Sequence, residues 1–175
     1  MAVTFIVETG AGLSDATSYL SVADADQIIE DYGLAWPSGY TDDQKKVALN
    51  SGTRYLDTKY NGAWKGYKGS ADQALAWPRA DVIDTDGWVV PSDEIPEPLE
   101  QATVEVATYA AENGSSFPDL DNPGALKRKK IKIDVIEIDT EYLGGNSGTE
   151  VASKVDAILA GYIHGRGANA EVIRG

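Results

Sequence analysis

Four segments of this chain begin alike: Ser21 with Asp24, Thr41 with Gln44, Ser70 with Gln73, and Ser147 with Glu150. Each places a hydroxyl three residues before a carboxylate or amide that can reach back, so the two side chains can satisfy backbone N–H groups left open at a helix start. Such starts predict a mainly α fold, a helical bundle of about four to five helices. The first helix is expected to run to about Tyr32 and stop at Gly33, with Ile28, Ile29 and Tyr32 on its buried face. The second, from Asp42 to about Tyr60, carries a stripe of Val47, Ala48, Leu49, Gly52, Tyr55, Leu56 and Tyr60. Gly52 costs helix propensity there, so it is expected to mark the close approach of a neighbouring helix.

The stretch Gln73-Ala-Leu-Ala-Trp-Pro-Arg79, followed by Asp86-Gly-Trp and Val90-Pro-Ser-Asp-Glu-Ile-Pro96, predicts a short helix over Ala71 to Trp77, a loop, and then the longest helix. Pro78 stops the short helix because the residue before proline is pushed from helical dihedrals. Trp77, Pro78 and Trp88 are the expected packing anchors. In the longest helix Leu99, Ala102, Val106, Tyr109 and Ala110 are expected to face the core, and Asn113-Gly114 ends it. Val151, Val155, Ile158, Leu159 and Tyr162 form the apolar face of a last helix.

Between these helices the pattern changes. Lys127 to Tyr142 alternates apolar and charged residues, the period of β structure, which predicts a small β-hairpin near 127–142. The alternation shifts phase at Val135-Ile136, which a bulge in one strand or a tight bend between two would explain. The extended start at Val3 to Val7 and a C-terminal tail complete the picture: one helical domain over 1–165 and a flexible tail over 166–175.

The 175 residues include no cysteine, which excludes disulfides and thiolate chemistry and predicts a fold held by packing. The start lacks the basic, long apolar pattern of a signal peptide, so the chain is expected to be soluble, with no membrane partner. Nothing in the pattern calls for a cofactor. Gly10-Ala-Gly12 lacks the third glycine of a dinucleotide fingerprint. Asp84-Thr-Asp86-Gly87 resembles part of a calcium loop, but Val82 stands where a ligand is required and Asp93 where a glutamate is, so a turn is expected and no metal site. The single histidine, His164, sits at a helix end with no nucleophile beside it, and the paired acids fall in helix first turns, where they offset the dipole. No catalytic residue is predicted, and the chain reads as a non-enzyme.

Net charge is −13, so the average field repels phosphate. The exception is Lys127, Arg128, Lys129, Lys130 and Lys132, five of the 15 basic residues. Single-strand binders combine such a run with aromatic rings on which bases stack, and this run has none among its strand positions. The expected use is pairing with an acidic neighbour, within the fold or across a subunit boundary, or guarding a sheet edge.

Read in order, Ser18-Tyr-Leu, Ala74-Leu-Ala-Trp-Pro-Arg79, Asp86-Gly-Trp, Val90 to Pro96, Leu126-Lys-Arg-Lys-Lys and Val172-Ile-Arg-Gly175 resemble the tailed-phage head-to-tail connector (adaptor, head completion) family. Some of its members carry the label "putative DnaT-like single-stranded DNA-binding protein". The resemblance implies a structural virion protein in the neck between capsid and tail, assembled in the host cytoplasm. Its partners would be the portal protein, neighbouring copies in a ring, usually a dodecamer, and a tail or stopper protein, with DNA passing through unbound. Ile173 and Arg174 would then join the basic run as candidate contacts. The label implies the alternative, a single-stranded DNA-binding replication accessory. An acidic conduit that lets phosphate slide favours the first, and head-to-tail contact between a basic segment and an acidic face would close such a ring.

Overall fold

The computed structural model describes residues 3–114, 132–133, 136–137 and 147–164, with the backbone alone at 132–133, 136–137 and 147–149. The chain is mainly α with small antiparallel strand pairs: α1 (Val22–Tyr32), α2 (Asp42–Lys59), β1 (Tyr67–Lys68), β2 (Arg79–Ala80), α3 (Glu97–Asn113), β3 (Lys132–Ile133), β4 (Ile136–Glu137) and α4 (Ser147–Ile158). The loop from Ser115 to Gly124 and the 166–175 tail lie outside the described residues.

Two of the four starts are complete capping boxes. Ser21 Oγ accepts the Asp24 N–H at 3.2 Å while Asp24 Oδ2 accepts the Ser21 N–H at 3.4 Å, and Thr41 and Gln44 repeat the exchange. Gly33 and Gly114 end α1 and α3 in the left-handed conformation, at φ 66° and 62°, where a side chain would be strained. The buried stripe of α1 differs from expectation. Ala25 and Ile29, one turn apart, meet the core, whereas Tyr32 in the last turn is 48% exposed.

The third start forms without a helix. Ser70 N–H donates to Gln73 Oε1 and Asp72 N–H to Ser70 Oγ, both at 3.2 Å, but residues 71–77 are a series of bends, correcting the short helix expected there. Distant partners take the backbone groups a helix would have used: Ala74 N–H donates to Leu13 O, and Ala76 N–H to Asp57 Oδ2, each at 2.9 Å. Gln73 is buried, and its amide donates to Leu75 O and Pro78 O at 3.0 Å. One hydrogen-bonded turn is too small a nucleus to outweigh those bonds. Trp77 therefore enters the core from a loop, fully buried, edge-on to Trp64 and Tyr162 at 5.9 and 5.8 Å between ring centres; its peptide bond to Pro78 is cis.

α3 is the central helix, packed against α1, α2 and α4. It is buried nearly all round: Thr103, Val104, Glu105, Ala107 and Thr108 join Leu99, Ala102, Val106 and Ala110, and Tyr109 is only half-buried. Among its hidden polar groups, Thr103 and Thr108 donate to Leu99 O and Val104 O at 2.8 and 2.9 Å, and Glu105 forms an ion pair with Lys154 of α4. Gly52 of α2 lies against α3 so closely that a Cβ there would stand 2.7 Å from Thr103 O. α4 runs antiparallel to α3. Lys154 meets Glu105 midway, and Tyr162, just past α4, shares a groove with Glu97 and Pro98 at the start of α3.

β1 and β2 pair Tyr67 with Ala80 and Lys68 with Arg79. β3 and β4 pair Lys132 with Glu137 and Ile133 with Ile136, so the phase shift near Val135 falls between two antiparallel strands and not within one. The glycines near the N-terminus also acquire a use: Glu8, buried, accepts the N–H groups of Thr9, Gly10, Gly12 and Leu13 at 2.8–3.0 Å. This loop holds the chain's own carboxylate in a ring of N–H donors. Among the described residues no helix is long and apolar enough to cross a membrane.

Candidate interaction surface

Residues 82–90 form a narrow turn. Ile83 bridges Val89, Val90 N–H donates to Val82 O at 2.9 Å, and Asp84 Oδ1 accepts the N–H groups of Asp86 and Trp88 at 2.9 and 2.8 Å. That explains the resemblance to a calcium loop, since the Asp84 carboxylate closes the turn itself. Val82 points into the core with no exposure, while Ile83, Trp88 and Val89 are 52%, 74% and 72% exposed. The role of Trp88 is thereby corrected. Local bonds to Asp84 hold the tip in shape, so Trp88 has no need to pack and presents its ring to solvent beside the exposed Ile83 and Val89.

Behind the tip lies a groove of about 470 Å³. Val90, Ile95 and Tyr162 contribute apolar surface, and Asp84, Glu94, Glu97 and Glu100 contribute four carboxylates, with no basic side chain in the lining. Glu97 and Glu100 belong to the first turn of α3, where negative charge offsets the helix dipole. The dipole does not absorb all of the repulsion. Burial, then the charges of Asp24 and Glu97, push Glu100 up to about 7, and burial followed by Asp84 and Glu97 raises the Tyr162 phenol.

The basic side chains of the body serve the fold. Lys45 pairs with Asp26 at 2.8 Å, Lys46 with Asp43 and Lys59 with Asp156 at 3.1 Å, and Lys154 with Glu105. Lys65 donates to Ile83 O and Gly161 O, Lys68 to Gln73 O, and Arg79 to Lys65 O, Ala76 O and Gly66 O. Residues 3–114 hold 19 acidic against 7 basic residues, a net −12.

Asp57 and Tyr19 form the most conspicuous buried polar pair. The Tyr19 hydroxyl donates to one carboxylate oxygen and the Ala76 N–H occupies the other, so both oxygens are committed. Burial raises both groups, and hydrogen bonds to Tyr19 and Ala76 only partly offset this for Asp57. His164 is exposed, and its backbone N–H donates to Ala63 O at 2.7 Å. Among the described residues no three or more His, Cys, Asp or Glu side chains converge to hold a metal.

Of the sequence-predicted contacts, Lys127, Arg128, Lys129, Lys130, Ile173 and Arg174 lie outside the described residues, and Lys132 is described only as backbone in β3. Trp77 and Pro78 sit within the packed body. Glu97 and Glu100 were legible only as helix-start residues and Asp84 only as part of a turn, because nothing local in the sequence brings Asp84 and Tyr162 to Glu97 and Glu100.

The described body is acidic and mainly helical, with an exposed aromatic tip beside a groove lined by carboxylates. A family model described as "Putative DnaT-like ssDNA binding protein" matches residues 3–175, and the chain belongs to that family. No curated protein and no solved structure matches it.

Proposed function

We propose that this protein is a non-enzymatic structural module, the adaptor subunit of a head-to-tail connector ring that joins a portal to a tail and lets the genome pass. The observation that carries this reading is the charge of the body. Residues 3–114 are net −12 and their lysines are bound to carboxylates and carbonyls, so this surface repels a phosphate backbone. The exposed Trp88 tip supplies apolar area suited to a protein partner.

The family's description supports a second reading, a single-stranded DNA-binding accessory protein. On this chain it would rest on Lys127 to Lys132, the one concentrated basic run. A fluorescence titration with single-stranded DNA at low salt separates the two. The adaptor reading expects weak binding; tight binding abolished by Lys129→Glu with Lys130→Glu would overturn it. Mass measurement with a portal ring is the positive test, in which the adaptor joins the ring and a mere DNA binder does not.

A further inference from the structure

The chain holds two Asn-Gly pairs, Asn61-Gly62 and Asn113-Gly114, and the fold treats them differently. Asparagine followed by glycine is open to attack by the backbone on the side chain, because a residue without Cβ leaves its own nitrogen unobstructed and lets the pair fold back on itself. Helical structure withholds that freedom. Asn113 closes α3, its side-chain amide donates to Tyr109 O at 2.8 Å, and the Gly114 N–H donates to Ala110 O, so both reacting groups are tied down.

Asn61 and Gly62 stand in the turn after α2, and both are exposed. Among the described residues neither the Asn61 side chain nor the Gly62 N–H has a hydrogen-bond partner. Gly62 sits at φ 77°, and nothing lies within 4 Å of where its Cβ would stand, so the turn has room to reshape.

We propose that Asn61 is a site of spontaneous deamidation, with water as the only co-reactant, and that its isoaspartate product loosens the strap by which this turn holds the segment after α4. The Gly62 nitrogen, its proton lost to solvent, attacks Asn61 Cγ; the Cγ–Nδ2 bond breaks, Nδ2 takes a proton from water and leaves as ammonia, and a succinimide ring closes. Water then opens the ring. Opening at the side-chain carbonyl gives aspartate, and opening at the backbone carbonyl gives isoaspartate, whose chain runs through Cβ and Cγ and is longer by a carbon.

The position makes that extra carbon felt. Tyr60 and Trp64, on either side of the pair, are core residues. Ala63 N–H donates to Tyr60 O at 2.8 Å, Ala63 O accepts the His164 N–H at 2.7 Å, and Lys65 N–H donates to Tyr162 O at 2.9 Å, with Trp64 bridging Ile163 between them. A longer backbone at 61 shifts Ala63 relative to Tyr60, and the bonds to His164 and Tyr162 weaken with it. The inference stands whether or not the chain assembles into a ring.

Ageing the full chain in mildly alkaline buffer at physiological temperature, followed by peptide mapping, tests the site. The peptide holding Asn61 should convert from amide to acid about tenfold or more faster than the one holding Asn113, whose two hydrogen bonds must open first. An isoaspartyl methyltransferase should label the aged Asn61 peptide and leave its counterpart from aged Asn61→Gln unlabelled, since glutamine must close a larger ring. An Asn61 amide that stays intact, or converts no faster than that of Asn113, overturns the site. The strap is read by amide hydrogen exchange. Lys65 and His164 should exchange about tenfold or more faster in the isoaspartate fraction of the aged chain than in Asn61→Asp, which carries the same charge on an unaltered backbone. Matched exchange in the two would overturn the loosening.

Discussion

Tyr19 donates its hydroxyl to Asp57, and the other oxygen of the same carboxylate accepts the Ala76 N–H at 2.9 Å. One side chain of α2 thus ties the segment before α1 to the segment that delivers Trp77. Removing the hydroxyl leaves a buried carboxylate oxygen without its donor, which costs on the order of 1–3 kcal/mol. Tyr19→Phe should lower unfolding stability by that amount in urea titration with the slope unchanged; an unaltered midpoint would show the bond to be incidental.

Gly52 sets two effects against each other. Alanine is favoured over glycine within a helix by about 1 kcal/mol. Its Cβ, however, would sit 2.7 Å from Thr103 O and 3.3 Å from Ala107 N, both backbone atoms that cannot swing away. Forcing two packed helices apart costs typically 1–3 kcal/mol. Gly52→Ala should therefore lower the thermal midpoint, and a rise would mean that α2 and α3 separate freely.

Two tryptophans should behave oppositely. Trp77→Ala empties a fully buried site packed by Trp64 and Tyr162, a change that costs about 3–5 kcal/mol. Trp88→Ala removes a ring that is 74% exposed and should leave the stability of the monomer within about 0.5 kcal/mol. Self-association should respond to Trp88→Ala, measured by sedimentation. Equal destabilisation by both would place Trp88 in the core.

Glu100 makes stability depend on pH with a defined sign. Its carboxyl is raised to about 7 in the fold, above its ordinary value of 4.5, so the native state holds this proton more tightly than the unfolded chain does. The contribution is fully present below about 4.5 and is lost as pH rises through about 7. Glu100→Gln should flatten that part of the stability profile, read from thermal midpoints between pH 5 and 8. If the profiles of the two proteins run parallel, Glu100 is fully ionised in the fold.

Local chemistry explains which elements were legible. The Ser21–Asp24 and Thr41–Gln44 exchanges and the left-handed Gly33 and Gly114 need only neighbouring residues, and they stand in the structure as the pattern implied. Gly52 could be read as a point of close approach because a glycine inside a helix needs a reason. The phase shift in the 127–142 alternation left one strand or two open, and the β3–β4 pairing decided for two.

The sequence by itself determined the helical class, the caps that bound α1 and α2, and the concentration of positive charge in Lys127 to Lys132, because each depends on residues within a few positions of one another. Only the tertiary structure decided that Ser70 and Gln73 begin no helix, that α3 is buried on nearly every side, and that Trp88 faces water. Those outcomes turn on bonds across long separations, such as Asp57 to Ala76 and Leu13 to Ala74, which compete with local preference and prevail. The acidic groove belongs to the second kind, since antiparallel packing of α4 on α3 is what brings Tyr162 to Glu97 and Glu100.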